Sequence, residues 1–253
     1  MTTLQLDDVR SAVRDHYAQR ALNGDSCCGP EGGDGCGCST NPFHNTELLA
    51  EIPEDIANFT LGCGDAVSLA HLQPGEVAVD LGSGGGLECF IAAKQVGPGG
   101  HVIGVDMTPE MLGKAWKNAA RLKVENVDFR KGFMENLPVA DASADVVMSN
   151  CVINLSPDKP QVFLEIFRVL KPGGRVAVSD IVTNGALPEA VRHDMELWGA
   201  CYAGALDVQD YAQGLAAAGF VDVEVKPKGE AAPEIEQLAG KVFSAAITAR
   251  KPV

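Results

Sequence analysis

Between Glu76 and Asp180, short runs rich in β-branched residues alternate with stretches of helical periodicity, and this alternation constrains the fold more than any other feature of the chain. Alternation of this kind predicts a parallel sheet with helices on both faces. The predicted strands are Val77–Asp80, Val102–Asp106, Val127–Arg130, Asp145–Ser149 and Arg175–Asp180. The predicted helices run from the glycine loop after Asp80 to Val96, over Pro109–Leu122, and over Lys159–Leu170, where Lys171-Pro-Gly-Gly174 ends the last of them.

The two ends of the chain depart from this pattern. Leu6, Val9, Val13 and Tyr17 recur at helical intervals, which predicts a first helix with one apolar face. Residues 23–40 are rich in glycine, have almost nothing to bury, and are predicted to form a flexible arm that carries four cysteines. Near the other end we predict a helix over Val208–Ala218 and strands over Phe220–Val225 and Val242–Ala249.

These patterns divide the chain of 253 residues into three segments. The first, 1–42, is an N-terminal helix followed by the flexible Cys/Gly-rich arm. The second, 43–183, is an α/β ligand-binding domain. The third, 184–253, is an inserted region at the substrate site together with the C-terminal strands that complete the sheet.

Charge and composition narrow the class of partner. Lys and Arg total 20 against 34 Asp and Glu, so the formal net charge is −14, which argues against nucleic acid and anionic membranes. No apolar run is long enough to span a bilayer, and the N-terminus does not resemble a secretory signal. We expect a cytoplasmic monomer whose eight cysteines are mostly reduced thiols.

A glycine loop follows the first predicted strand. Asp80-Leu-Gly82-Ser-Gly84-Gly-Gly86 opens a helix at the carboxyl end of that strand, where sheets of this kind bind ligands. The spacing is neither the dinucleotide G-x-G-x-x-G nor a P-loop. A tight turn without a ligand is the alternative. Asp106 ends the next strand, however, and a carboxylate there can accept both hydroxyls of a ribose.

With these motifs the sequence resembles the class I S-adenosylmethionine-dependent methyltransferases. The matching segments are VDLGSGGG (79–86), VIGVDMTPEML (102–112), KGFMENLPVADASADVVMSN (131–150) and VLKPGGRV (169–176). The resemblance implies a Rossmann-like sheet of seven strands with the last one antiparallel, and S-adenosylmethionine as cofactor. It implies that Asp80, Gly82, Gly84 and Gly86 bind its methionine part, Asp106 the ribose, and Met107, Phe133, Met134 and Glu135 the adenine, with Ser83 and Asn150 also in contact.

Three cysteines occupy ligand-facing positions. Cys63 lies in a glycine-flanked loop before the sheet, Cys151 follows the fourth strand, and Cys201 lies in the inserted region. Three thiolates suit a soft, trigonal-pyramidal centre such as trivalent arsenic, whose lone pair can attack a sulfonium methyl without removal of a proton. The alternative is that each cysteine is a small core residue.

The surroundings of these cysteines extend the resemblance. LGCGD (61–65), SNCVINL (149–155) and GACYAGA (199–205) are similar to segments of the arsenite S-adenosylmethionine methyltransferases. That family implies an arsenic-detoxifying enzyme in which Cys63, Cys151 and Cys201 bind arsenite or its thiol complexes and take part in the redox steps. It also implies that a Cys–Cys disulfide forms and that thioredoxin or glutathione reduces it.

Other features of the sequence leave alternatives open. Cys27, Cys28, Cys36 and Cys38 either chelate arsenic, bind zinc, or belong to a tail without catalytic role, and we expect deletion of residues 1–40 to leave substantial methylation. Cys89 is interpreted as a core residue. A methyltransferase of a small organic acceptor and a non-catalytic arsenic-binding protein are the competing functions.

Overall fold

The computed structural model of the protein describes residues 6–23, 49, 52–59 and 64–253. Cys63 and the four cysteines of the predicted arm lie outside these residues, so the predictions for them remain predictions.

A single mixed sheet forms the centre of the fold. Its strands are β1 (Val77–Leu81), β2 (His101–Asp106), β3 (Val127–Lys131), β4 (Ala144–Asn150), β5 (Leu170–Thr183), β6 (Leu206–Asp207), β7 (Val221–Glu230) and β8 (Val242–Arg250). Their order is β3-β2-β1-β4-β5-β8-β7, and the two-residue β6 pairs with β5 outside this path. Strand β8 runs antiparallel to both of its neighbours, as the class I resemblance implies, and the predicted fold class is confirmed.

Helices cover both faces of the sheet. In the described part of the chain they are α1 (Leu6–Asn23), α2 (Glu54–Ala57), α3 (Ala66–Ala70), α4 (Leu87–Val96), α5 (Pro109–Leu122), α6 (Lys159–Val169), α7 (Glu189–Arg192), α8 (Met195–Gly199) and α9 (Val208–Ala217). Helix α5 has the predicted bounds, because Pro109 is favoured at the first turn of a helix and Lys123 ends it in the left-handed conformation. No helix of the described residues is long and apolar enough to cross a membrane.

Strand β5 differs from its prediction. The segment Lys171-Pro-Gly-Gly174 does not separate helix from strand but lies within β5, which continues to Thr183. Pairing with β4 shifts register here, since Ala144 pairs with Leu170 while Val146 pairs with Arg175. The extra residues form a bulge, which accommodates the proline and glycines that would otherwise interrupt the ladder.

Two large apolar clusters lie on opposite faces of the sheet because side chains alternate along each strand. On β1, for example, Ala78 packs with helix α4 and Val79 packs with helix α6. The carboxyl ends of β1, β2 and β4 meet at one edge, and the site described below lies there.

Helix α1 is part of the folded body. Val9 and Val13 are each only 2% exposed and pack in a third apolar cluster that includes Cys151 and Cys201. The apolar face predicted from the sequence is confirmed for Val9, Val13 and Tyr17. The structure argues against the expectation that residues 1–40 are dispensable, because removing α1 would uncover this cluster.

Candidate active site

The glycine loop takes backbone conformations that only glycine adopts without strain. Gly82 has a φ of 71°, and a Cβ there would lie 2.5 Å from the side chain of Val152. Gly84 has a φ of 49°, and a Cβ there would meet no atom within 4 Å. The buried Asn118 amide donates to the carbonyl of Gly85 at 3.0 Å, which fixes the loop against α5. The loop therefore leaves open space beside Gly84 for a ligand.

A cavity open to solvent lies against this loop, and its volume together with the open space at its mouth is about 1100 Å³. The residues on its wall come from the carboxyl ends of β1, β2 and β4, from the segments that follow β1, β2, β3 and β4, from Phe59 after α2, and from helix α1. The predicted cofactor-binding residues on the wall are Asp80, Gly82, Ser83, Gly84, Asp106, Met107, Phe133, Met134, Glu135 and Asn150.

Gly86 is not among the residues of the cavity wall. It caps the N-terminus of α4 with a φ of 91°, and a Cβ there would strike Phe90 and Phe129 within 3 Å. The structure thus gives a packing reason for this glycine, since the turn into α4 needs both the positive φ and the close approach of two rings.

Asp106 is held by backbone donors at the end of β2. Its two oxygens accept hydrogen bonds from the amides of Gly84 at 2.9 Å and Thr108 at 2.8 Å. Burial raises the pKa of this carboxyl, and the two amides act against that rise by favouring the charged form. Each oxygen keeps lone-pair capacity on its cavity side, which is what a ribose diol requires.

Asp80 lies at the base of the cavity and is 1% exposed. One oxygen accepts from the Cys89 thiol at 3.2 Å, and the other, Oδ1, is buried without a hydrogen-bond partner in the protein. Burial raises the pKa of Asp80 to about 7, and the nearby charge of Asp106 acts in the same direction. A cationic ligand group would supply the missing partner and favour the carboxylate.

The side chain of Asn150 forms hydrogen bonds within the protein. Its Oδ1 accepts from the amide of Gly64 at 3.2 Å, and its Nδ2 donates to the carbonyl of Gly64 and to Glu88, each at 2.7 Å. The amide therefore ties the segment before α3 to the first turn of α4, and places both beside the end of β4.

Sequence reasoning missed the part of the wall that α1 supplies. Arg10, Val13 and Tyr17 line the cavity. Arg10 forms an ion pair with Glu135 at 3.2 Å, and the Tyr17 hydroxyl donates to the carbonyl of Gly199 at 3.2 Å. The spacing of the apolar residues predicts the helix, but nothing in the sequence predicts which part of the protein the helix packs against.

The cavity fits the S-adenosylmethionine that the class I resemblance implies. A buried oxygen of Asp80 and the buried hydroxyl of Ser83 have no partner in the protein, and both residues line the cavity. Asp106 offers oxygens for a diol, and Met107 and Phe133 provide an apolar surface for a base. These are the three kinds of contact that an amino acid, a ribose and an adenine require.

Cys151 and Cys201 lie together at the edge of this cavity. Cys151 lines it, directly after β4, and the Cys201 thiol donates to the Cys151 carbonyl at 2.7 Å. Both are buried, and both have positive φ values, 57° and 68°, which cost non-glycine residues roughly 1–2 kcal/mol. Backbone strain of this kind concentrates at functional sites.

The oxidation states of the described cysteines differ. Cys151 is part of a disulfide, whereas Cys89 and Cys201 are thiols. The described part of the chain therefore does not contain the other half of that disulfide. Cys63, the third cysteine of the predicted trio, lies outside the described residues.

A buried charge lies beside Cys201. Lys159 is 8% exposed and donates to the carbonyl of Ser156 at 2.8 Å. Burial lowers the pKa of Lys159 to about 8, against the opposing effects of Asp180, Cys201 and Glu135. Asp180 is fully buried, and desolvation raises its pKa to about 7. Sequence reasoning missed this pair, because nothing in the local sequence shows that either residue is buried.

Cys151 and Cys201 have apolar surroundings. Leu155, Ile181 and Leu187 share their cluster, with Trp198 and Tyr202 packed against it. Within residues 6–23, 49, 52–59 and 64–253, no three His, Cys, Asp or Glu side chains are grouped closely enough to hold a metal ion. Cys151 and Cys201 alone are two sulfurs, so a three-sulfur site needs a further cysteine.

Known proteins share this architecture. A family model described as a methyltransferase domain matches residues 72–219. An arsenite methyltransferase of Halobacterium salinarum is 46% identical over 97% of this chain and 67% of its own length. One from Aquipseudomonas alcaligenes is 41% identical over 74% of this chain, which spans 56% of that relative. The crystal structure of an arsenic(III) S-adenosylmethionine methyltransferase from Chlamydomonas reinhardtii matches with 36% identity and a TM-score of 0.68, over 82% of this chain and 73% of the other.

Proposed function

We propose that this chain, which belongs to the arsenite methyltransferase family, transfers the methyl group of S-adenosylmethionine to trivalent arsenic held by Cys63, Cys151 and Cys201. The observation that carries the proposal is the position of Cys151 on the wall of the cofactor cavity with a second cysteine in contact with it. Cys151 is part of its wall, and the Cys201 thiol contacts the Cys151 backbone at 2.7 Å. The relatives' names support the acceptor.

The cavity wall would hold the cofactor through groups already in place. Asp80 offers an unpaired carboxylate oxygen for the ammonium group, and Asp106 accepts the ribose hydroxyls while two backbone amides hold it. Met107 and Phe133 pack on the adenine, with Met134 and Glu135 beside them. When bound, the cofactor supplies an electrophilic methyl group on a sulfonium sulfur.

The chain's contribution to transfer is position and exclusion of water. Thiols bind trivalent arsenic because it is soft. Cys151 and Cys201 both have left-handed backbone conformations and lie in turns, not in helices or strands. The apolar cluster around them limits access of water to the arsenic. The arsenic lone pair needs no general base, so the site works by holding the acceptor in line with the donor.

Oxidation of arsenic accompanies each methylation in the proposed cycle. Two thiols form a disulfide as arsenic returns to the trivalent state, and thioredoxin or glutathione reduces that disulfide. The disulfide at Cys151 supports this part of the proposal, since it is formed by a residue of the cavity wall. A thiol-complexed arsenite is the proposed substrate in a reducing compartment, the cytoplasm.

Methylation of arsenite is tested with purified protein, S-adenosylmethionine, a thiol and arsenite, and the products are separated by chromatography with arsenic detection. We expect methylated arsenicals. Bound cofactor without methylated arsenic would favour an organic acceptor, and arsenic binding without turnover in the presence of cofactor would favour a non-catalytic binding protein.

The role of the cysteines is tested by Cys151→Ser and Cys201→Ser. Serine keeps a hydrogen-bonding group but binds arsenic weakly, so we expect loss of turnover with cofactor affinity changed by less than about twofold. Turnover at the wild-type rate in either variant would contradict the proposal. Resistance of arsenite-sensitive cells that express the wild type, and not Cys151→Ser, would support the detoxification role.

Tryptophan fluorescence can report the binding of arsenite to the protein. Trp198 packs against the apolar cluster that contains Cys151 and Cys201. Trp116, the other tryptophan of the chain, lies on α5 and is 47% exposed. We expect arsenite to change the fluorescence of Trp116→Phe and to leave that of Trp198→Phe unchanged. The reverse pattern would place arsenic elsewhere. Light scattering in the same samples tests the expected monomer.

A further inference from the structure

The Cys89 side chain makes a polar contact that a purely apolar core residue would not need. It lies on α4, behind the glycine loop, and is fully buried. Its thiol contacts Asp80 Oδ2 at 3.2 Å, within hydrogen-bond distance for sulfur. Burial and the charge of Asp80 raise the pKa of this thiol well above its usual value, so it stays protonated and able to donate.

Asp80 differs from the other carboxylates that line the cavity in the described part of the chain. Both oxygens of Asp106 accept backbone amides, Glu88 accepts from Asn150, and Glu135 accepts from Ser156 at 2.6 Å. Asp80 Oδ1 has no partner in the protein, although the residue is only 1% exposed. It is the carboxylate oxygen most in need of a donor, and the cofactor's ammonium group is a donor with matching charge.

We propose that Cys89 is a positioning residue for the cofactor: its thiol holds Asp80 Oδ2 and so orients Oδ1 toward the ammonium group of S-adenosylmethionine. A carboxylate without this bond would rotate or take up water in the cavity, and the ammonium group would lose its oriented acceptor. A thiol is suited to the role because it donates weakly and does not neutralise the carboxylate.

The proposal concerns the amino-acid part of the cofactor alone, which gives a selective test. S-adenosylhomocysteine carries the ammonium group, whereas 5′-methylthioadenosine carries the adenosine and lacks the amino acid. Titration calorimetry of the full chain with each ligand separates an effect on Asp80 from a general effect on the cavity, and requires no turnover.

We expect Cys89→Ala to weaken binding of S-adenosylhomocysteine by about five- to tenfold, the effect of one lost hydrogen bond. Binding of 5′-methylthioadenosine should change by less than about twofold. Cys89→Ser restores a donor and should return S-adenosylhomocysteine to within about twofold of the wild type. Ile91→Val, which removes a buried methyl group from the same helix, is the matched control and should affect the two ligands equally.

Two results would overturn the proposal. Equal losses for both ligands in Cys89→Ala would make Cys89 a packing residue, as would a Cys89→Ser variant that binds no better than Cys89→Ala. If Cys89→Ala does not fold, Cys89→Ser alone distinguishes the two roles. A packing role predicts that the affinities for both ligands fall equally. The positioning role predicts that both affinities stay near those of the wild type. Failure of arsenic methylation would leave these binding results unaffected.

Discussion

Replacing Asp106 by asparagine tests the best-defined contacts of the cofactor cavity. The carboxylate accepts one backbone amide on each oxygen, from Gly84 at 2.9 Å and from Thr108 at 2.8 Å. An asparagine side chain has one oxygen and one NH₂ group, so in either orientation an NH₂ group faces one of these N–H donors. One backbone donor is then left unpaired, which costs about 1–3 kcal/mol.

The same substitution removes charge from the group that would accept the ribose hydroxyls. Because one charge-assisted hydrogen bond to the ligand is worth about 1.5–3 kcal/mol, we expect S-adenosylhomocysteine to bind about 10- to 100-fold more weakly. Titration calorimetry measures this directly. Thermal unfolding of the ligand-free variant should show a Tm lower by about 2–12 °C, because the unpaired backbone donor destabilises the folded state by about 1–3 kcal/mol.

Asp128→Asn is the matched control for Asp106→Asn. Asp128 lies on the neighbouring strand β3, where it pairs with Arg130 at 2.7 Å on a partly exposed surface away from the cavity. Its substitution should leave the affinity within about twofold. An affinity of Asp106→Asn within about threefold of the wild type would contradict this prediction, because the Asp106 carboxylate would then not bind the ribose hydroxyls.

Three further predictions concern helix α1 and the two carboxyls with raised pKa. Val13→Asp places a charge on the buried face of α1 and should lower the affinity for S-adenosylhomocysteine in calorimetry by tenfold or more. Ala12→Asp, on the exposed face of the same helix, should leave the affinity unchanged. Because the pKa of Asp80 is about 7 without ligand, S-adenosylhomocysteine should bind more weakly as the pH falls from 7.5 to 5.5, and Asp80→Asn should remove that dependence. Asp180 has a folded-state pKa of about 7 against 3.8 for an aspartate in water, so its protonation favours the folded state. Its contribution to the unfolding free energy should fall by up to about 4 kcal/mol as the pH rises from 4 to 7, and urea unfolding of Asp180→Asn should show a smaller decline than the wild type.

The sheet and its ligand-binding edge could be predicted because their signals are local. The alternation of strands and helices and the glycine loop lie in consecutive residues, and the structure places the predicted strands in one sheet. The start of β5 could not be predicted, because Pro172 and Gly173 read as a break and are accommodated only through a bulge against β4.

Features that depend on long-range contacts were missed. The docking of α1 on the cavity, the burial of Lys159 beside Asp180, and the thiol contact from Cys89 to Asp80 all join residues whose proximity no local pattern encodes. The proximity of Cys201 to Cys151 was expected from family resemblance rather than from the residues alone. The division of the chain at residues 42 and 183 stays a prediction.

The sulfur neighbours of bound arsenic test the central proposal most directly. X-ray absorption at the arsenic edge counts the sulfur atoms around arsenite bound to the reduced protein. We expect three sulfur neighbours in the wild type and two in Cys201→Ser, with oxygen in the vacated position. An arsenic surrounded by oxygen in the wild type, or a spectrum that Cys201→Ser leaves unchanged, would contradict it.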